Sequence, residues 1–125
     1  MPHGLQLIVA ALLLTTSACA HSGGNEAAPS AGSVEVRVTN QNALPMEVYA
    51  SGSGINHRMG TVHPGMDGSF TIPQNLVGNG SVQFVARPSG GGGQPYRSGE
   101  VMLAPGSLIV FEIAPQLFNS TVNRR

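Results

Sequence analysis

The sequence has no lysine, one cysteine and one aspartate, and its charges are sparse: six arginines balance six acidic residues. The arginines form no basic patch of the kind that nucleic-acid-binding domains carry, and no polybasic segment of the kind that anionic lipid headgroups attract. The composition therefore argues against nucleic acid as a partner. It also argues against attachment to a membrane by charge alone.

The sequence also lacks an apolar run of the roughly 20 residues that a membrane-spanning helix needs. Residues 5–14 are apolar except for Gln6, and a run of this length is typical of the core of a secretory signal. No lysine or arginine precedes the run, which departs from the usual signal pattern. We predict that residues 1–18 are a signal peptide and that the protein is exported.

The stretch Thr16-Ser17-Ala18-Cys19 resembles the lipobox of bacterial lipoproteins, although Thr16 stands where leucine is usual. The resemblance implies cleavage before Cys19, diacylglycerol on its sulfur and attachment to the membrane through that lipid. A lone cysteine has no partner for an internal disulfide, which favours this interpretation. By the lipoprotein sorting rule, Ala20 in place of aspartate favours the outer membrane. The alternative is ordinary cleavage after Ala18-Cys19-Ala20, which would leave the protein periplasmic or secreted.

The rest of the chain divides into three parts by composition. Residues 19–32 are small, polar and without pattern, which predicts a flexible tether. Residues 33–115 contain short apolar stretches separated by glycine and proline turns, which predicts an all-β domain. Residues 116–125 are polar, and we expect this C-terminal tail to fray.

Alternation of apolar and polar residues predicts the strands and their buried faces. About seven strands at short spacing predict a single small two-sheet antiparallel β-sandwich. If the first two strands form a hairpin, Arg37 faces Glu47 on the solvent side. Met59 and Val62 have the wrong spacing for a regular strand, and a bulge at Gly60 would turn both inward. The predicted inward residues are, strand by strand, Val34, Val36, Val38; Met46, Val48, Ala50; Met59, Val62; Phe70, Ile72; Val82, Phe84, Ala86; Val101, Leu103; and the apolar strand 108–114 with Phe111.

The order of strands and turns, VRVTN, MEVYAS, RMGTVHPG, GSFTIP, VQFVARP and PYRSGEVMLAPGSLIVFEI, resembles the small prealbumin-like or carboxypeptidase-regulatory sandwiches. It is most similar to short bacterial lipoproteins built from one such domain. The resemblance brings no catalytic residues with it. By analogy of fold it implies a binding or structural role.

Residues that could support chemistry are few. His57 and His63, with methionines nearby, are the weak candidates for a copper-like metal site, but a regular strand would place them about 20 Å apart. Solvated edge-strand histidines are the commoner explanation. A catalytic pair would need one of them with Asp67, the only aspartate, and a turn-closing role is more usual for such a residue. We therefore expect no catalytic activity and no cofactor.

Four side chains are candidates for surface contacts: Tyr49, Arg58, Tyr96 and Arg97. Tyr49 points outward by alternation, Arg58 lies on an expected edge strand, and Tyr96 and Arg97 follow a glycine loop. We expect a lipid-anchored envelope protein that binds a protein or glycan of the envelope through its surface. The alternative is a module that binds a small ligand, a copper-like metal or a glycan.

Overall fold

The computed structural model describes residues 33–77 and 80–125, which form an all-β sandwich of two four-stranded sheets. The first sheet has the strand order β4-β1-β7-β8, and the second has the order β3-β2-β5-β6. The predicted signal peptide, Cys19 and the tether lie outside the described residues, as do Gly78 and Asn79. The elements in chain order are β1 Val34–Asn40, β2 Met46–Gly52, β3 Ile55–Val62, β4 Asp67–Ile72, helix α1 Gln74–Val77, β5 Ser81–Pro88, β6 Tyr96–Met102, β7 Leu108–Ile113, a 3-10 turn Leu117–Asn119 and β8 Thr121–Arg124.

The sandwich differs from the sequence prediction in the number of strands and in the direction of one strand pair. It has eight strands in place of seven, and β1 pairs with β7 in parallel while every other pair is antiparallel. The four-residue helix α1 was not predicted, because it is too short to show a helical period. Within residues 33–77 and 80–125, no helix is long and apolar enough to cross a membrane.

The hairpin on which the Arg37–Glu47 pair depended does not form, because β1 and β2 belong to different sheets. Arg37 consequently pairs with Glu35 on its own strand at 3.0 Å, not with Glu47. The connection crosses between the sheets through two asparagine turns. Asn40 Oδ1 accepts from the amide of Asn42 at 2.9 Å, and Asn42 Oδ1 accepts from the amide of Leu44 at 3.0 Å.

Asn40 also fixes this crossing from inside the protein, where it is fully buried. Its Nδ2 donates to the carbonyl oxygens of Leu44 at 2.9 Å and Val62 at 2.8 Å. Its backbone bonds Gly65 and Met66, which lie in the connection from β3 to β4. One buried amide therefore satisfies carbonyl groups at two of the crossings between the sheets, β1 to β2 and β3 to β4.

The predicted irregularity in β3 is confirmed, with Met59 as the extra residue. Val48 pairs with Gly60 and Tyr49 pairs with Arg58, so Met59 has no partner on β2. Met59 packs against the core and Val62 is buried, as the bulge requires. Gly60, the residue after the bulge, packs closely against β4, because a Cβ there would lie 2.8 Å from the ring of Phe70.

The prediction of a frayed C-terminal tail is wrong. Residues 121–124 form β8, which pairs antiparallel with β7 from Ile109 to Glu112. Ser120 is buried, and its Oγ accepts from the amide of Ala114 at 3.0 Å and donates to the carbonyl of Leu117 at 2.6 Å. The segment is polar because β8 is an edge strand, and only Val122 among its side chains packs against the core.

Apolar residues from both sheets meet in one core, as the alternation predicts. Phe84 of the second sheet and Phe111 of the first are fully buried, with ring centroids 6.3 Å apart. The β7 segment is central in its sheet, between β1 and β8. It nevertheless alternates, since Glu112 is exposed between the buried Phe111 and Ile113.

The sandwich has two distinct ends. At the terminal end, Ser33 bonds Gly106, and Arg125 exchanges backbone hydrogen bonds with Leu108. At the loop end lie the β1–β2, β3–β4, β5–β6 and β7–β8 connections. The latter end carries three exposed large apolar side chains, Leu44, Met66 and Phe118.

Candidate functional site

The outward side chains of the second sheet form rows across its strands. One row is Arg58, Tyr49, Val85 and Arg97, which the strand register places side by side on β3, β2, β5 and β6. The neighbouring row joins Thr61, Glu47 and Arg87. Directly opposite residues in a sheet share a face, so these side chains form one continuous outer surface.

Glu47 is the hydrogen-bonding centre of this surface. Its Oε2 accepts from Arg87 Nη2 at 2.7 Å and from the Tyr49 hydroxyl at 3.1 Å. The same Arg87 nitrogen donates to the Tyr49 oxygen at 2.8 Å, and its guanidinium carbon lies 5.3 Å from the centroid of the Tyr49 ring. Arg58 contacts Glu47 Oε1 at 3.5 Å and donates to Thr61 Oγ1 at 2.9 Å.

These contacts shift the proton equilibria of the cluster. The hydrogen bond from Arg87, with a smaller contribution from the Tyr49 hydroxyl, lowers the pKa of Glu47. The same bond raises the pKa of Arg87. Glu47 is therefore an anion across the physiological range, and it holds Arg87 and Tyr49 in one arrangement.

A concavity of about 360 Å³ opens beside this cluster on the same face. Its lining residues are Tyr49, Ser51, Asn56, Val85, Arg87, Pro95 and Arg97. Val85 is a short side chain among long neighbours, and with 7% exposure it forms an apolar floor. The longer side chains of Tyr49, Arg87 and Arg97 therefore become walls.

Arg97 differs from the other arginine of the concavity. It is exposed, and within the described residues it makes no side-chain hydrogen bond or ion pair. A bulge in β6 positions it: Val85 pairs with Arg97 while Gln83 pairs with Glu100, which leaves an extra residue on β6. The buried Ser98 closes the bulge, because its hydroxyl accepts from the amide of Phe84 at 2.8 Å and donates to the carbonyl of Gly99 at 2.7 Å.

The four predicted contact residues do not share one location. Tyr49, Arg58 and Arg97 lie in one row of the outer face. Tyr96 is opposite Ala86 and turns inward, with its ring centroid 5.8 Å from that of Phe111. Its burial raises the pKa of its hydroxyl. The ring of Tyr96 is thus part of the core and not of the outer face.

The residues considered for metal binding or catalysis lie on β3, in the connection from β3 to β4 and at the start of β4. His57 pairs with Ala50, so it lies on the core-facing side of the edge strand β3. His63 follows the end of β3 and is exposed, as is Asp67 at the start of β4. Among residues 33–77 and 80–125, no group of three or more His, Cys, Asp or Glu side chains is placed to hold a metal ion.

Sequence reasoning did not single out Ser51, Asn56, Val85 or Arg87 as site residues. For Val85 a signal exists: in Val82-Gln83-Phe84-Val85-Ala86-Arg87 the outward positions are Gln83, Val85 and Arg87, so an apolar residue interrupts a polar row. The grouping of Ser51 with Asn56, and of Val85 with Arg97, depends on which strands pair. That information is not contained in the alternation of any one strand.

Comparison with protein-family models and with curated proteins found no match for this chain. Its function is therefore inferred from the fold and from the geometry of the outer face.

Proposed function

We propose that this protein is an exported, lipid-anchored envelope protein that binds another envelope component, a protein or a glycan, without catalysing a reaction. The binding surface is the outer face of the second sheet. The outer membrane is the favoured location, as the residue after Cys19 is alanine. No cofactor is part of this proposal.

The observation that carries the binding role is the hydrogen-bonded set of Glu47, Tyr49 and Arg87 beside an open concavity. Long polar side chains on a sheet surface ordinarily lose conformational entropy when they bind a partner. Here hydrogen bonds with Glu47 and with each other already hold Tyr49 and Arg87 in place on the sheet. A surface that is ordered before binding loses less entropy on association.

The position of Ser33 fits attachment through the preceding chain. The chain enters the sandwich at the terminal end, where Ser33 bonds Gly106. Ser33 leads into β1 of the first sheet, whereas the proposed surface is the side of the second sheet that faces away from the first. The loop end lies at the other end of β1. A lipid on Cys19 would thus leave the proposed binding surface accessible, and two or three acyl chains give stable anchoring.

The attachment is tested by mass spectrometry of the mature N-terminus and by fractionation of cells. We expect an acylated Cys19, and we expect Cys19→Ala to release the protein from membranes or leave it unprocessed. An unmodified N-terminus at His21 would contradict the lipid anchor and support the periplasmic or secreted alternative.

The binding surface is tested by crosslinking in intact cells that produce the full chain. The double variant Arg58→Gln/Arg97→Gln should lose the crosslinked species, whereas Arg37→Gln, on the other sheet, should keep them. Crosslinking should also survive the combined change of His57, His63 and Asp67 to alanine. Loss of crosslinking in that triple variant, with an unchanged circular dichroism spectrum, would count against the surface and for a metal or catalytic site.

A further inference from the structure

We infer that the concavity floored by Val85 binds the carboxylate of an acidic saccharide, a sugar unit of the hexuronic acid class. This inference rests on the proposed function, because it names the ligand chemistry of the same face. It depends on four properties of the concavity: its charge, its unused hydrogen-bond donors, its neutral polar groups and its apolar floor.

The charge of the lining is positive. Arg87 and Arg97 contribute two guanidinium groups, and no acidic residue is among the residues that line the concavity. Glu47 lies in the adjacent row and binds Arg87, so it offsets part of that charge. Glu100, opposite Gln83 on the other side of the concavity, accepts a hydrogen bond from Ser81. Arg97 has no ion-pair partner among the described residues. A ligand that enters the concavity consequently meets a net excess of positive charge.

Both guanidinium groups have donors to spare. A guanidinium has five N–H donors. Arg87 uses only Nη2 toward Glu47 and Tyr49, and the Arg97 side chain makes no hydrogen bond within the described residues. A planar guanidinium matches the two oxygens of a carboxylate, and charge-assisted bonds of this kind are the strongest that a surface offers.

The remaining walls favour a sugar over a bare carboxylate. Ser51 and Asn56 face each other across β2 and β3 and provide a hydroxyl and an amide for hydroxyl groups of a ligand. Val85 and Pro95 provide an apolar surface for the C–H groups of a sugar ring. The volume of about 360 Å³ is near the lower end of the range for small-ligand sites, which suits one sugar unit.

The test is an NMR titration of the purified full chain, isotopically labelled, with sodium glucuronate as the probe. We expect shifts of the backbone amides of Val85 and Arg97 that saturate with glucuronate and that weaken as salt is added. Glucose, acetate and inorganic phosphate at equal concentrations should each bind more weakly. Arg97→Gln should weaken glucuronate binding by about tenfold, as expected for loss of a charge-assisted bond.

Arg97 is the informative position because its side chain is exposed and makes no hydrogen bond or ion pair with the described residues, so its replacement should leave the protein folded. Arg37→Gln is the matched control, an exposed arginine on the other sheet. Equal binding of glucose or acetate would overturn the acidic-sugar assignment, as would tighter binding of phosphate. Absence of any glucuronate-dependent shift would overturn it too.

Failure of this inference is distinguishable from failure of the proposed function. If glucuronate does not bind but Arg58→Gln/Arg97→Gln still abolishes crosslinking in cells, only the ligand class is wrong. If crosslinking is also unchanged in that double variant, the outer face is not the binding surface.

Discussion

Phe84 and Phe111 join the two sheets through the centre of the protein, and both are 0% exposed. Replacing either with alanine leaves a cavity between the sheets. We expect Phe84→Ala or Phe111→Ala to lower the free energy of unfolding by about 3–5 kcal/mol, measured by urea denaturation. A domain of this size has about 5–15 kcal/mol in total, so either variant would be close to unfolding.

The control for that prediction is Phe118→Ala. Phe118 is 77% exposed, and its loss should change stability by less than about 0.5 kcal/mol. A loss below about 1 kcal/mol at both Phe84 and Phe111 would contradict the central role of this ring pair.

Glu47 provides a prediction of pH dependence. Its pKa is lower in the folded protein than in the unfolded chain, because Arg87 and Tyr49 donate hydrogen bonds to the carboxylate. The stabilisation from this group is therefore present above the ordinary carboxyl pKa, and it is lost as the pH falls through the lowered value. NMR titration of Glu47 should show the low pKa in the parent protein and a higher one in Arg87→Gln. An unchanged Glu47 pKa in that variant would contradict the assignment.

At the residue scale the sequence predicts much of what the structure contains. Which side chains face inward is a local property, because successive residues of a strand point to opposite faces. Val34, Val36 and Val38 are buried for that reason alone. Tyr96 faces inward and its neighbour Arg97 faces outward, as alternation requires. The face of Tyr96 cannot be counted back from the inward residues Val101 and Leu103, because the bulge at Ser98 lies between them.

At the scale of elements, Gly60 lies next to the bulge in β3, and close packing favours glycine there although its φ is not positive. A Cβ at Gly60 would lie 2.8 Å from the Phe70 ring, which bridges β3 and β4. We expect Gly60→Ala to destabilise the protein by about 1–3 kcal/mol in urea denaturation, because the ring must move. Gly92→Ala is the control, since nothing lies within 4 Å of a Cβ there. Equal stability of the two variants would contradict the close packing of Phe70.

The strand β8 gives a second prediction at this scale. Removal of residues 117–125 would expose the edge of β7 and uncover part of the core beneath Leu117 and Val122. We expect the truncated chain to unfold at a lower urea concentration than the full chain. Arg124→Gln, which removes only a hydrogen bond to the Met102 carbonyl, should have a much smaller effect. An unchanged midpoint after truncation would mean that residues 117–125 contribute little to the fold.

Strand pairing is the part of the fold that the sequence did not predict. Alternation shows which face of a strand is buried and leaves open which strand lies beside it. The short β1–β2 connection is equally compatible with a hairpin and with a crossing, and only the buried Asn40 with its bonds to Leu44 and Val62 shows why the crossing is preferred. The candidate site has the same dependence, because its rows exist only once β2, β3, β5 and β6 are paired.

At the scale of the whole molecule, the two ends of the sandwich differ in character. Backbone hydrogen bonds at the terminal end tie Ser33 to Gly106, in the turn before β7, and Arg125 to Leu108, the first residue of β7. The loop end carries Leu44, Met66 and Phe118 in contact with solvent. Domains whose first and last residues lie close together at a surface often tolerate fusion or permutation. A label attached after Arg125 should therefore leave the loop end and the outer face of the second sheet free.

The position of β1 also determines how the protein responds to mechanical load. β1 begins directly after Ser33, runs to the loop end and lies between β4 and β7. Tension between the chain preceding Ser33 and the loop end acts along β1, so both of its ladders are sheared and their hydrogen bonds must break together. Tension between Ser33 and Arg125 acts at one end of the sandwich, where β8 can peel from β7 one bond at a time. Single-molecule pulling should therefore give a higher rupture force between Ser33 and Gly92 than between Ser33 and Arg125. Equal forces would show that β1 does not carry the load.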